Sequence, residues 1–243
     1  MTDILLHVGL HKTGTTFLQR NVFPYIKDSV VYYDNIPVRD CDKDKLVIVS
    51  DERFTCSLRP YHDIANARLG WVRRLKKSYP DAKILIILRD KKRFVKSLYS
   101  QYVKSGGIYE YGRWRKTVFD EDSLDYNTLI NMYKKNFNSV LFLPFEYLKQ
   151  DEYQFIKTIC DYVDRPVPTY KHQVVNRHLG HYSIKMVRIL NNLFATYRND
   201  RAFIFPHCLH PRFVHQALHW KSCKVNKKEL KRSMWYAARK NRK

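Results

Sequence analysis

Short apolar runs alternate with amphipathic segments along most of the chain. Runs of strand length lie near Asp3 to Val8, Val30 to Tyr33, Lys45 to Val49, Lys83 to Leu88 and Val140 to Leu143. Between them, apolar residues recur at helical spacing near 62–79, 91–105 and 126–137, and Pro80 ends the first of these segments. Continuous apolar strands separated by helices are typical of a parallel sheet buried on both faces. The pattern predicts an α/β fold with a P-loop-like, mostly parallel sheet flanked by helices on both faces.

The C-terminal part of the chain follows a different pattern. Helical periodicity is found near residues 182–197 and 226–239, and basic residues accumulate towards the end. No internal repeat, low-complexity tract or glycine-rich linker marks a second domain. We therefore expect one domain over residues 1–243, with a helical and basic part from residue 164 onwards.

The first apolar run ends in the turn Gly9-Leu10-His11-Lys12-Thr13-Gly14-Thr15-Thr16 and then enters a predicted helix. Backbone N–H groups at a helix N-terminus favour phosphate or sulfate, and the lysine of the preceding turn adds positive charge. In the usual P-loop the lysine follows the second glycine, and the next hydroxyl binds magnesium. Here Lys12 precedes Gly14. The turn is a poor loop for a nucleoside triphosphate, but it suits an anion that is placed differently.

A second candidate anion site follows the fourth apolar run. Arg89 comes at the C-terminal edge of this predicted strand, and Ser97 lies two turns into the next predicted helix. A guanidinium group offers a planar, permanently charged fork for phosphate, and a hydroxyl can complete the shell around its oxygens. The alternative is an exposed arginine and an ordinary helical serine.

An acidic strand terminus supplies a candidate proton acceptor. The third apolar run ends in Ser50-Asp51-Glu52, and a carboxylate near the mouth of an anion site can act as a general base if its pKa rises. Glu52 is the candidate general base. Asp51 is a rival carboxylate, and nearby histidines in the sequence, at positions 7, 11 and 62, are further alternatives.

These motifs together resemble the sulfotransferases that use 3′-phosphoadenosine 5′-phosphosulfate (PAPS), most closely their bacterial and Golgi carbohydrate branches. The resemblance is clearest over residues 3–163 and includes Val140 to Leu148, in which Glu146 is expected to hold a neighbouring loop. It implies that Glu52 is the base, that Lys12 is catalytic, and that Arg89 and Ser97 bind the 3′-phosphate. It also implies that the 5′-phosphosulfate is bound by Lys12, Thr13, Gly14, Thr15 and Thr16.

The resemblance implies PAPS as co-substrate, no required metal, and a hydroxyl or amine acceptor, with a carbohydrate favoured by the loop type and the glutamate. The basic, glycine-containing loop with which the family closes over the adenosine has no clear copy. Arg177 to His181 or Lys221 to Lys228 are possible substitutes. The nucleoside contacts are therefore not assigned.

Charge and composition are consistent with this hypothesis. The chain has 45 Lys and Arg against 23 Asp and Glu, a formal net charge of +22, which favours anionic partners such as a nucleotide, an acidic glycan, nucleic acid or an anionic membrane. With 44% hydrophobic and 28% charged residues, the chain is globular in composition. No apolar run approaches the roughly 20 residues of a membrane span, and no signal peptide is predicted. The 5 scattered cysteines argue against a disulfide framework, so we expect a cytoplasmic protein.

Three further clusters have both a functional and a plain structural interpretation. The basic tail from Lys221 to Lys243 can contact anionic surfaces or form a solvated helix face. A histidine and cysteine cluster lies between residues 207 and 223, but it completes no standard zinc spacing. Aromatic and basic residues after Ser97 can form an acceptor groove or a core with a loop: Tyr99, Tyr102, Lys104, Tyr109, Tyr111, Arg113, Trp114 and Arg115.

The sequence thus predicts a PAPS-dependent sulfotransferase that acts on a hydroxyl or amine, with a glycan as the favoured acceptor and nucleic acid not expected as a partner. One alternative is a P-loop nucleotide kinase, although the hydroxyl after a Gly-Lys pair is missing. The other is a non-catalytic protein that binds polyanions or nucleic acid, for which the net charge is the motive.

Overall fold

The structure is a computed structural model that describes residues 3–33, 44–55, 64–119, 121–170 and 181–193. The chain divides into two compact units. The first comprises Met1–Ser97 and Trp114–Arg177, and the second comprises Leu98–Arg113 and His178–Lys243.

The first unit contains a five-stranded sheet in the order β2-β3-β1-β4-β5, in which every pairing is parallel. All predicted strands are confirmed to within one residue at either end. Most hydrophobic side chains of the inner strands are fully buried, which explains why these strands read as continuous apolar runs. The strands are β1 Asp3–His7, β2 Ser29–Tyr33, β3 Leu46–Ser50, β4 Lys83–Leu88 and β5 Val140–Pro144.

Helices connect the strands, and those predicted near residues 62–79, 91–105, 126–137 and 182–197 are confirmed over their described parts. The helix predicted at 226–239 lies outside the described residues. Among the residues that the structure describes, no helix is long and apolar enough to cross a membrane. The helices are α1 Thr15–Phe17, α2 Ile64–Ser78, α3 Lys91–Lys104, α4 Tyr111–Thr117, α5 Tyr126–Asn136, α6 Phe145–Gln150, α7 Glu152–Tyr162 and α8 His181–Leu193.

The helical segment after the first loop is irregular. The α-helix α1 covers only Thr15–Phe17. It is followed directly by a π-helical turn over Leu18–Val22 and a 3₁₀ turn over Phe23–Tyr25. Leu18, Val22 and Phe23 of these turns are buried in the main core of the unit. The sequence pattern predicts a helix here but not its change of hydrogen-bond period.

The strand order brings the candidate motifs together at the carboxyl ends of neighbouring strands. The chain fills the β3 and β2 side first and then crosses β1 to reach β4, so the connections diverge at the carboxyl ends of β1, β3 and β4. A crevice at such a switch point is where ligands bind in open α/β sheets. The three strands end at His7, Ser50 and Leu88, just before the loop, the acidic turn and Arg89.

In the second unit, α8 is joined to the turn that follows α3. The buried Asn191 amide donates to the carbonyls of Val103 at 2.7 Å and Gly107 at 2.9 Å. A Cβ atom at Gly107 would lie 2.3 Å from the Tyr102 ring, so the close approach of this turn requires glycine.

Candidate functional site

The loop between β1 and α1 has a left-handed backbone at two positions. Gly14 has φ 87° and its carbonyl accepts the N–H groups of Phe17 at 2.9 Å and Leu18 at 3.1 Å, so it begins the helix. Lys12 has φ 66°, which is uncommon for a residue with a side chain and indicates that the surrounding contacts hold it. The Thr13 hydroxyl donates to the Leu10 carbonyl at 2.5 Å and is therefore used within the loop.

Arg89 links the two candidate anion sites. Its guanidinium Nη1 donates to the Lys12 carbonyl at 2.7 Å, and the group lies over the Phe145 ring at 4.9 Å from the ring centroid. The Tyr126 hydroxyl donates to the Arg89 carbonyl at 2.9 Å. The guanidinium is therefore fixed between the loop and α6. Arg89 is buried there, with only 7% of the residue exposed.

Two polar groups near this point are buried with no hydrogen-bond partner among the described residues. They are the hydroxyl of Ser97, which is fully buried, and the Nε atom of Arg89. Burying such groups without a partner is costly, and native structures rarely do it unless another molecule supplies the partner. Both can donate, so a phosphate or sulfate oxygen would satisfy them. The residues present thus fit a second phosphate.

Glu52 lies beside the loop because β3 ends in a 3₁₀ turn over Glu52–Thr55. Its Oε2 atom lies 2.6 Å from Nδ1 of His11, and both side chains are partly exposed. Burial raises the pKa of Glu52, but the hydrogen bond and charge of His11, with Thr15 and His7, lower it more. The net pKa lies below its usual value, which is opposite to the rise that the sequence argument considered for a general base.

The rival proton acceptors have other partners or lie elsewhere. Asp51 is buried and accepts from Arg53 through the backbone N–H at 2.8 Å and through the guanidinium at 2.6 Å. His7 is fully buried, bonds the Ser50 hydroxyl at 2.7 Å, and has a pKa lowered to about 4 by burial. Another predicted rival, His62, lies outside the described residues.

Glu52 and Arg89 lie close enough to the Lys12 ammonium to change the pKa of Lys12. Burial lowers the pKa of Lys12, Glu52 raises it, and Arg89 lowers it further, with a net decrease. The loop lysine, the candidate base and the candidate phosphate arginine therefore share one electrostatic environment. The sequence had placed them in three separate motifs.

Glu146 has the structural role that the sequence predicts. Its carboxylate oxygens each lie 3.4 Å from the backbone N of Asp90, the residue that follows Arg89. Sequence reasoning missed the neighbouring Phe145 and Tyr126, which fix the arginine. An aromatic residue next to a strand terminus was a weak signal for Phe145, and nothing in the sequence indicated Tyr126.

Three of the aromatic residues after Ser97, Tyr99, Tyr102 and Tyr109, pack together with the loop that follows α3. The Tyr102 hydroxyl accepts the N–H groups of Ile108 and Tyr109, both at 3.2 Å, and the Tyr99 hydroxyl donates to the Tyr109 carbonyl at 3.1 Å. Trp114 is buried and its ring lies 5.2 Å from that of Phe119. These contacts support the core-and-loop interpretation for Tyr99 and Tyr102.

Several candidates of the sequence analysis lie wholly or mostly outside the described residues. They are the basic tail, the histidine and cysteine cluster and the two segments considered for the nucleoside. Within the described ranges, no group of three or more His, Cys, Asp or Glu side chains is arranged to hold a metal ion.

Comparison with known proteins identifies the family. The sulfotransferase domain model matches residues 2–199, most of the chain, whereas no curated protein is significantly similar. A sulfotransferase from Alicyclobacillus acidocaldarius has a similar fold, with a TM-score of 0.50, 17% identity, and coverage of 72% of this chain and 87% of that one. The mouse sulfotransferase SULT7A1 complexed with PAP gives a TM-score of 0.45 at 16% identity, with coverage of 79% and 65%. The chain belongs to the family of PAPS-dependent sulfotransferases.

Proposed function

We propose that this chain transfers the sulfuryl group of PAPS to a hydroxyl or amine of a carbohydrate acceptor. One observation carries the assignment of the site: the Arg89 guanidinium donates to the Lys12 carbonyl, and its own Nε atom is buried with no partner among the described residues. PAPS carries two separate anionic groups, and this contact holds the two candidate anion sites next to each other.

Each anionic group has its own set of residues in this proposal. The turn from Lys12 to Thr16 binds the 5′-phosphosulfate through backbone N–H groups, with the Lys12 ammonium adding charge. Arg89 and the Ser97 hydroxyl bind the 3′-phosphate, which supplies the partner that Arg89 Nε and Ser97 Oγ lack among the described residues.

Bound PAPS supplies an activated sulfuryl group on a phosphate leaving group. Lys12 stabilises the negative charge that develops on the bridging oxygen, and Glu52 accepts the proton of the acceptor hydroxyl or amine. Catalysis comes mainly from positioning and electrostatics, and the lysine takes the place of a magnesium ion. The proposal prefers Glu52 to Asp51 as the base, because the Asp51 carboxylate is held by the guanidinium of Arg53.

The carbohydrate acceptor is inferred from the loop type, from the use of a glutamate and from the net charge of +22. Acidic or densely hydroxylated glycans would be attracted to such a surface. An assay of labelled sulfate transfer to a panel of glycans, phenols and alcohols tests this part. Transfer confined to phenols would contradict it.

The nucleotide assignment is tested by calorimetry with 3′-phosphoadenosine 5′-phosphate (PAP) against ATP. We expect PAP to bind at least about tenfold more tightly, a difference of about 1.4 kcal/mol. Lys12→Ala should lower kcat by about 100- to 1,000-fold, the usual cost of removing a group that stabilises transition-state charge. Circular dichroism controls for folding. Preferential binding of ATP, or unchanged turnover of Lys12→Ala, would sink the assignment.

A further inference from the structure

We infer that His11 is a positioning residue that orients the Glu52 carboxylate and keeps it ionised as the proton acceptor of the reaction. The inference rests on the proposed function and deepens it. Its basis is the contact of 2.6 Å between His11 Nδ1 and Glu52 Oε2, which joins the loop after β1 to the turn after β3 across 41 positions of sequence.

The two segments that carry this pair are fixed to each other by further bonds. The Asp51 N–H donates to the His7 carbonyl at 3.2 Å, and the Thr55 hydroxyl donates to the Gly9 carbonyl at 2.9 Å. His7 and Ser50 are also opposite each other in the register of β1 and β3. The contact therefore stands on two rigidly paired strand ends, as a catalytic side chain requires.

Of the charged and titratable groups around Glu52, His11 is the one whose substitution can test what keeps this carboxylate ionised. These groups include His11, His7 and Lys12. His7 is uncharged at neutral pH, because burial lowers its pKa to about 4. Lys12 is needed for the leaving group. His11 is thus the residue that offsets the effect of burial, which alone would raise the pKa of Glu52 and protonate it at higher pH.

The proton balance of the step is simple. The acceptor O–H bond breaks and its proton goes to Glu52, while the acceptor oxygen forms a bond to sulfur. The bond between sulfur and the bridging oxygen breaks, and Lys12 neutralises the charge on that oxygen. His11 donates through Nδ1–H to the carboxylate and exchanges no proton with the acceptor.

The test is the pH dependence of kcat/KM for sulfate transfer by the full chain. Removing His11 takes away a donor and a positive charge, so in His11→Ala the acid limb should move up by about one pH unit or more. Activity on the alkaline plateau should also fall, by up to about 100-fold, because the Glu52 carboxylate loses the contact that orients it. In His11→Asn the side-chain amide keeps a donor without the charge, so a smaller shift is expected.

Two control variants accompany the experiment. Glu52→Gln should lose activity at every pH yet keep its affinity for PAP. Arg53→Gln breaks the neighbouring Asp51 pair, and its acid limb should stay in place. An unmoved acid limb, or an unchanged plateau, in His11→Ala would overturn the inference. Failure of the wild type to bind PAP would overturn the proposed function instead, so the two failures are distinguishable.

Discussion

At the residue scale, the site depends on a glycine that leaves room for a buried histidine. A Cβ atom at Gly9 would lie 2.8 Å from His7 Nε2 and 3.2 Å from the Thr15 hydroxyl. His7 cannot move away cheaply, since its ring is fully buried and bonded to Ser50. The turn that leads to Lys12 can therefore pack against His7 only because Gly9 has no side chain.

We predict that Gly9→Ala lowers the free energy of unfolding by about 1–3 kcal/mol, because the core around His7 becomes overpacked. Urea denaturation measures the change. Gly70→Ala in α2 is the matched control, since no atom lies within 4 Å of the Cβ position there, and alanine should stabilise that helix by about 0.5–1 kcal/mol. Equal effects of the two substitutions would contradict the prediction.

The same scale shows the limits of sequence reasoning about single side chains. The sequence named Glu52 and Asp51 as rival carboxylates without a means of separating them. The structure separates them by their partners, His11 for Glu52 and Arg53 for Asp51. It also lowers the pKa of Glu52 instead of raising it, because the loop brings an imidazole to the carboxylate.

At the scale of elements, α6 supports the end of β4. Phe145 lies under the Arg89 guanidinium, and its ring would contact a Cβ atom at Gly14 at 3.0 Å. Glu146 accepts the N–H of Asp90. One short helix thus holds both candidate anion sites in place.

We predict that Phe145→Leu weakens PAP binding by about 3- to 30-fold, because a cation–π contact of about 0.5–2 kcal/mol to Arg89 is lost. Calorimetry with PAP measures the change. Phe142→Leu in β5 removes a similar contact, that with Lys134, away from the proposed site and serves as the control. Phe145 would have no part in the nucleotide site if both variants bound PAP as the wild type does.

The elements themselves were largely predictable. Apolar runs and helical spacing are local properties of the sequence. They predicted all strands of the described sheet and the main described helices, with bounds close to the observed ones. The π-helical turn at Leu18–Val22 was not predicted, since its hydrogen-bond period is not marked by any pattern of side chains. Nor did any pattern indicate that Tyr126 of α5 bonds the end of β4.

At the scale of the whole molecule, stability depends on burying the neutral form of His7. Its pKa is about 4 in the folded chain against 6.5 as the ordinary value. The unfolded chain therefore binds more protons between these values. Stability is full above the higher pKa and falls as pH decreases towards the lower one.

We predict that this histidine accounts for a loss of about 3 kcal/mol in the free energy of unfolding on acidification from about pH 7 to about pH 4. The loss should be absent in His7→Asn, so the curves of wild type and variant should converge in acid. Urea titrations over this pH range measure both. A wild type and variant that lose stability in parallel would show that His7 does not titrate as described.

The sequence by itself determined the alternation of strands and helices, the anion-binding turn from Lys12 to Thr16 and the family resemblance, because each depends on residues that are near one another in the chain. Tertiary structure alone decided that Arg89 donates to the Lys12 carbonyl, that Ser97 is buried without a described partner and that His11 meets Glu52. These relations join distant segments. They follow from strand order and register. Burial in the folded chain then sets the pKa values. A local sequence pattern contains neither strand order nor burial.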